Sequence, residues 1–216
     1  MRRGQKLVAI DGYEVMLFPL EYMYMSQGEG GTGSHANTYS MDFLGWGRNG
    51  RIYRCPVYAP CSCKCVNVNW SPSSGSRVFQ SLDKVHCPDG YFGIITFNTV
   101  HDNSPLSSLN QVFQQGDLIA HTGTAGNVTG DHLHFNTASG VYDGFYNVGT
   151  GHYQLKNSTH IYDTCFVNDT DIRYGMGYNW QIYNGGITPS YKKYKFKWVL
   201  YANKLRERSN NYDINL

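Results

Sequence analysis

His132-Leu133-His134 sets two imidazoles two positions apart. On a strand, residues i and i+2 project to one face, so both rings point the same way while Leu133 turns toward a core. A second pair, His35 and Asp42, is seven positions apart, which along one continuous strand would put the two on opposite faces. The intervening Ala36-Asn37-Thr38 supplies a turn-like break that lets them converge. Within SMDFLG, Ser40 and Asp42 then share one face and Met41 and Phe43 the other. A carboxylate in so apolar a setting is costly to bury unless it is paired or bound to metal. Two imidazoles and a carboxylate are a usual ligand set for catalytic zinc, which keeps a fourth position for water. Zinc lowers the pKa of that water toward about 7 and polarises a carbonyl. Moving a proton and stabilising an oxyanion remain, and two further histidines are available, His132 and His101. Read singly, each piece has a plainer alternative: HxH pairs arise by chance, and Asp42 could accept from a neighbouring backbone amide.

The elements that must hold these residues read as strands. From His35 to about residue 137, short apolar segments (YSMDFLG, CKCVNVNW, RVFQSL, YFGIITFNTVH, DLIAHTG, DHLHFN) alternate with the turn-forming spacers SPSSGS, HCPDG and TAGNVTG. Helical periodicity is nearly absent, and the spacing predicts a mostly-β chain with an antiparallel sheet or barrel-like sandwich. Composition agrees. Charged residues are 16% and aromatics 15%, with 18 Tyr and 24 Gly, a mix poor for long surface helices and suited to short strands joined by glycine turns. Beyond about residue 140, Tyr, Asn and Gly dominate. A further strand is expected in THIYDTCFV, and part of the basic, aromatic end SYKKYKFKWVLYANKLRERSNNYDINL could form a helix. A boundary near residue 145 divides the chain into a domain of residues 1–145 and a C-terminal extension, 146–216.

At 216 residues the chain can bury a sizeable core without crosslinks. A formal charge of +2 is too small to imply nucleic acid as the main partner. No stretch approaches the roughly 20 apolar residues of a membrane span, and the opening MRRGQKLVAIDGYEVMLF lacks the apolar run and cleavage site of a Sec signal peptide. Neither membrane insertion nor Sec export is expected. Cys61, Cys63 and Cys65 alternate, so a strand would put them on one face, unlike the CxxC knuckle of a structural zinc site. With Cys55, Cys87 and Cys165 they read first as small buried apolar residues, with disulfides or a second metal site as the alternatives.

The stretch QQGDLIAHTGTAGNVTGDHLHF resembles the hallmark of lysostaphin-type (LytM-like) zinc endopeptidases, in which a Gly-rich turn leads into a G-x-H-x-H strand. GSHANTYSMDF resembles that family's first metal motif, VYAPCSCKCV the "AP-x-x-G-x-V" strand that follows, and TVHDNS occupies the place of the central histidine. The pieces occur in the family's order over residues of about 28 to 137. The resemblance implies an antiparallel sheet crossed by a groove, with Zn2+ held by His35, Asp42 and His134. It also implies that His132 and His101 are the catalytic pair and that the substrate is peptidoglycan stem or cross-bridge peptide. Most members place the acid four residues after the first histidine. The gap of seven here resembles endopeptidases of tailed bacteriophages, which implies a protein carried in the virion or released for lysis, with phage tail proteins as further partners. The family's glycine after the "AP" strand is replaced by the cysteine-rich segment.

Tyr39, Asn98 and Asn136 are candidates for lining such a groove, and Asp131 for orienting an imidazole. His86, His121, His152 and His160 read as surface or hydrogen-bonded histidines. The competing functions are a wall-binding or virion structural protein on the same scaffold, motivated by the Tyr-rich segment, and a metalloprotease of ordinary protein substrates.

Overall fold

The computed structural model describes residues 1–30, 33–149 and 151–167, and the backbone of 171–172. The C-terminal stretch with helical potential lies outside the described residues. As the alternation requires, the main sheet has eight strands. Seven lie in the order Val112–Phe113, Cys63–Asn67, Arg77–Ser81, Ile95–Val100, Leu133–Ser139, Met41–Phe43 and Met25–Gln27, and Ser158–Thr159 also pairs with Leu133–Ser139. All of these pairings are antiparallel.

Period-two alternation assigns the faces. Leu133, Phe135, Ile95, Phe97 and Phe79 are buried in one apolar cluster with Met41 and Phe43. Phe79 stacks on Phe97 with ring centroids 5.1 Å apart, and Phe18 meets Phe43 edge-on at 4.9 Å. A two-stranded ribbon, Pro56–Tyr58 with Leu118–His121, adds Val57, Ile119 and Ala120 to the same core. With one face of the sheet committed to that core, the residues between, His134 and Asn136 on one strand and Asn98 on its neighbour, project to the opposite face.

Cys61, Cys63 and Cys65 are fully buried in the core cluster, and all six cysteines are free thiols. The reading as small apolar residues therefore stands over disulfides. Among the described residues the one His/Cys/Asp/Glu group able to hold a metal contains no cysteine.

THIYDTCFV departs from the expected strand. Within it Thr159 ends the two-residue strand Ser158–Thr159, Ile161–Thr164 is a single helical turn, and Phe166 makes only an isolated parallel bridge to Leu17. The Thr164 hydroxyl donates to the His160 carbonyl at 2.9 Å, competing with strand pairing, while the turn drops Ile161 into the core. Cys165 and Val167 join the same cluster, so residues up to 167 share the core of the residues before 145.

Two outcomes test this packing. Phe97→Ala, which empties a ring position inside the sheet's apolar face, should cost about 3–5 kcal/mol in urea unfolding; a loss below about 1 kcal/mol would mean the site can collapse or is not packed this way. Because only thiolates react readily and burial pushes the Cys61, Cys63 and Cys165 thiols well above their ordinary pKa, a thiol reagent should label none of these three in native protein at neutral pH and all of them after denaturation.

Candidate metal centre and its groove

His35 ends a short 3-10 turn, Gly33–His35. Asn37 then takes a left-handed conformation, φ 61°, and Thr38 donates to the His35 carbonyl through its N–H at 3.1 Å and its hydroxyl at 3.2 Å. This is the break between His35 and Asp42, and asparagine is among the residues that tolerate it. Asp42 is the middle residue of Met41–Phe43 and pairs directly with His134 across the sheet, as Phe43 pairs with Leu133. One strand register therefore sets an acid against an imidazole.

Three donor atoms meet there. His35 Nε2 lies 3.2 Å from His134 Nδ1 and 3.2 Å from Asp42 Oδ1, and His134 Nδ1 lies 3.0 Å from the same oxygen. His35 Nδ1 is 3.0 Å from the Gly28 carbonyl, which can only accept, so Nδ1 carries the proton and Nε2 presents a lone pair. A single proton can satisfy one edge of this triangle, whereas a divalent cation satisfies all three corners. Tetrahedral coordination at zinc–nitrogen distances of about 2.0–2.1 Å places ligand atoms about 3.3 Å apart, close to the spacing present. The donor set fits the ion.

Electrostatics point the same way. Burial works against the Asp42 carboxylate, but the facing imidazoles of His35 and His134 outweigh it and hold its pKa well below the usual range. Burial pushes the His134 pKa down against the pull of Asp42, favouring the neutral ring that a metal ligand requires.

His132 and His101 stand beside this triangle with ring centroids 4.5 Å apart, and the His101 ring is 5.9 Å from that of His134. His132 Nδ1 donates to the Gly130 carbonyl at 2.8 Å and His101 Nδ1 to the Ala125 carbonyl at 2.7 Å. In the neutral form of either ring the proton is then on Nδ1 and Nε2 carries the lone pair; the Nε2 of His132 lies 3.5 Å from Asp42 Oδ2. His101 sits at φ 82°, uncommon for a side-chain-bearing residue, and its N–H donates to the Ser74 carbonyl at 2.7 Å. Gly75 lets the chains approach this closely, since a Cβ there would meet the Asp102 carbonyl oxygen at 1.9 Å.

A groove of about 800 Å3 lies over the site, with Asp42, His101, His132 and His134 in its lining and His35 buried. Of the three expected lining residues Asn98 is in place. Asn136 is buried, accepting from the Leu155 N–H, and Tyr39 packs edge-on against His160. One wall is aromatic: Trp70 stacks on Phe145 at 4.2 Å and meets Tyr153 edge-on at 5.2 Å. Sequence reading missed this wall, and a lone Trp before the SPSSGS turn was its one available signal. His152 also lines the groove, while His86 pairs with Asp11 at 2.8 Å and His160 with buried Glu29 at 2.6 Å. His121 faces Asp102, away from the triangle. Asp131 touches no imidazole; it accepts from the Thr122 hydroxyl at 2.6 Å and the Arg54 N–H at 3.1 Å.

The fold and site thus define an antiparallel β protein whose groove carries a His-Asp-His cluster with two further histidines beside it. No protein-family model matches the chain. It is 36% identical over 173 residues to morphogenesis protein 1 of Bacillus phage B103, covering 79% of this chain and 45% of that protein. The chain thus spans about half the length of this curated relative. Similar solved structures include a zinc-containing peptidase from Vibrio cholerae (21% identity, TM-score 0.40, 60% of this chain and 41% of that one). Two others are the catalytic domain of the antimicrobial peptidase lysostaphin from Staphylococcus simulans (21%, 0.39, 56% and 80%) and the catalytic domain of the prophage-encoded M23 protein EnpA from Enterococcus faecalis (14%, 0.42, 59% and 88%).

The site yields a pH dependence for metal-free protein. Burial first, then the nearby His134 and His132, lowers the His101 pKa to about 4, against about 6.5 when unfolded. The unfolded chain therefore takes up this proton first as pH falls, so the stability held by neutral His101 is complete above about 6.5 and drains between there and about 4. Between pH 7 and 4.5, EDTA-treated wild type should lose roughly 2 kcal/mol more than His101→Asn in urea unfolding. Equal losses would show that His101 titrates normally.

Proposed function

We propose that the chain is a zinc metalloendopeptidase that hydrolyses peptide bonds in peptidoglycan stem or cross-bridge peptides, as part of a phage protein that degrades the host cell wall. One observation carries the chemistry: the His35 Nε2 lone pair, the Asp42 carboxylate and His134 Nδ1 converge at 3.0–3.2 Å beside two more imidazoles whose Nδ1 atoms are held by backbone carbonyls. The peptidoglycan substrate rests on the motif resemblance across residues 28–137, and the phage setting on the similarity to the Bacillus phage morphogenesis protein. Residues 1–145 make up the catalytic unit, with 146–167 of the extension adding to its core and groove wall.

His35, Asp42 and His134 hold the ion. Bound zinc supplies acidity to a water and polarisation to the scissile carbonyl. The chain's own residues do the rest. His132 Nε2 takes the proton that the attacking water must lose and can return it to the leaving amine, its ring held by the Nδ1–H bond to Gly130. His101, its Nδ1–H held by the Ala125 carbonyl and its Nε2 unprotonated, faces the same space and can share with His132 the proton that the attacking water loses, donating to the developing oxyanion once it carries that proton. The groove aligns an extended peptide across these groups.

Purified protein loaded with one zinc ion per chain should release new amino termini from purified peptidoglycan. Chelation should stop the release and added Zn2+ restore it. His134→Ala should lose metal and at least about a hundredfold in rate. Full activity of that variant removes the metal assignment. Sedimentation with cell walls and no new amino termini would instead leave a wall-binding protein, and digestion of casein but not wall fragments a protease of ordinary proteins.

A further inference from the structure

Two carboxylates that the mechanism does not use are buried next to the two histidines that it does. Asp102 follows His101 and is 2% exposed; Asp131 precedes His132 and is 4% exposed. Buried carboxylates need donors, and both find them on one residue. Arg54 donates its main-chain N–H to Asp131 Oδ2 at 3.1 Å and its guanidinium Nη2 to Asp102 Oδ1 at 3.2 Å. It does so from a left-handed conformation, φ 53°, that a residue with a side chain rarely adopts and that the surrounding bonds must sustain. Other donors assist: Asp102 accepts from the N–H groups of Ser104 and His121, and Asp131 accepts from the Thr122 hydroxyl with the Arg51 guanidinium 3.9 Å from its Oδ1.

The two histidine-bearing turns are in contact through Gly123. Its N–H donates to the His132 carbonyl and its carbonyl accepts the His132 N–H, both at 3.0 Å, while a Cβ on it would meet the His101 carbonyl oxygen at 2.1 Å. The turns thus touch at Gly123 and are clamped from outside at Arg54. We propose that Arg54 is a positioning residue: by tying Asp102 to Asp131 it sets the spacing and orientation of the His101 and His132 rings. It touches neither the metal ligands' donor atoms nor the groove. The inference rests on the reading of His101 and His132 as the catalytic pair.

Arg54→Ala keeps the main-chain bond to Asp131 and deletes the bond to Asp102, together with a long one, 3.5 Å, to the Asn103 side-chain oxygen. It should lower kcat on peptidoglycan roughly ten- to a hundredfold, with KM within about threefold and one zinc still bound per chain. Arg54→Lys should recover part of the loss, and so should low-millimolar guanidinium added to Arg54→Ala, because the native side chain is 42% exposed and leaves a slot open to solvent. Unchanged kcat, or a loss shared with zinc binding, overturns the proposal. If Arg54→Ala does not fold, Arg54→Gln, which keeps the aliphatic stem, takes its place. Nitrogen-15 spectra of labelled histidines give a reading without turnover: the variant should shift His101 and His132 from a single Nδ1–H tautomer toward a mixture and leave His35 unchanged. Unmoved His101 and His132 signals overturn the inference. A wild type that cleaves nothing while those signals do move would instead sink the endopeptidase reading and leave the role of Arg54 standing.

Discussion

The structure depends on the register between Met41–Phe43 and Leu133–Ser139, in which Asp42 faces His134 and Phe43 faces Leu133. The two pairs are inseparable, because side chains alternate across a strand and a slip of one residue exchanges the faces. Burying Phe43 and Leu133 in the core forces Asp42 and His134 onto the opposite side together. The hydrophobic effect, acting on residues with no chemistry of their own, thereby fixes the meeting of two that have it. His35 arrives separately on its own turn, with the Gly28 carbonyl choosing its tautomer.

That arrangement is unfavourable by itself. A lone pair, a carboxylate and a second imidazole nitrogen at 3.0–3.2 Å repel unless a proton or cation lies among them, so the scaffold must hold them by rigidity elsewhere. Rigidity comes from the stacked Phe79 and Phe97 beneath the sheet and from buried carboxylates around its rim, Glu29 against His160 on one side and Asp102 and Asp131 on the other. Left-handed residues mark where the backbone gives way to these demands: Asn37, Arg54 and His101 all lie within or beside loops that deliver a functional side chain. Such a site is preorganised, which is what stabilising a developing charge requires.

Much of this was legible in the chain itself. Alternation named the main strands, since each of YSMDFLG, CKCVNVNW, RVFQSL and DHLHFN contains one. Alternating cysteines read correctly as one buried face because a small thiol behaves as an apolar group when nothing pairs with it. THIYDTCFV misled in its middle: its β-branched and aromatic residues favour a strand, and its ends are extended, while a threonine hydroxyl reaching back to a carbonyl supports one helical turn between them. Tyr39 and Asn136 were expected in the groove on residue type alone, yet Asn136 is taken up as a buried partner for a backbone N–H of the returning hairpin.

Local order in the sequence determined the faces: two histidines at i and i+2, an acid between two core residues, and a turn at Asn37 follow from backbone geometry wherever the chain lies. Only the tertiary structure decided what those faces meet. Strand partners come from distant parts of the chain, so nothing near Trp70 announces that Phe145 will stack on it, and nothing near Arg54 announces that Asp102 and Asp131 will both need it. Those contacts exist because burying apolar surface brings remote segments together and each buried charge must then find a donor within reach.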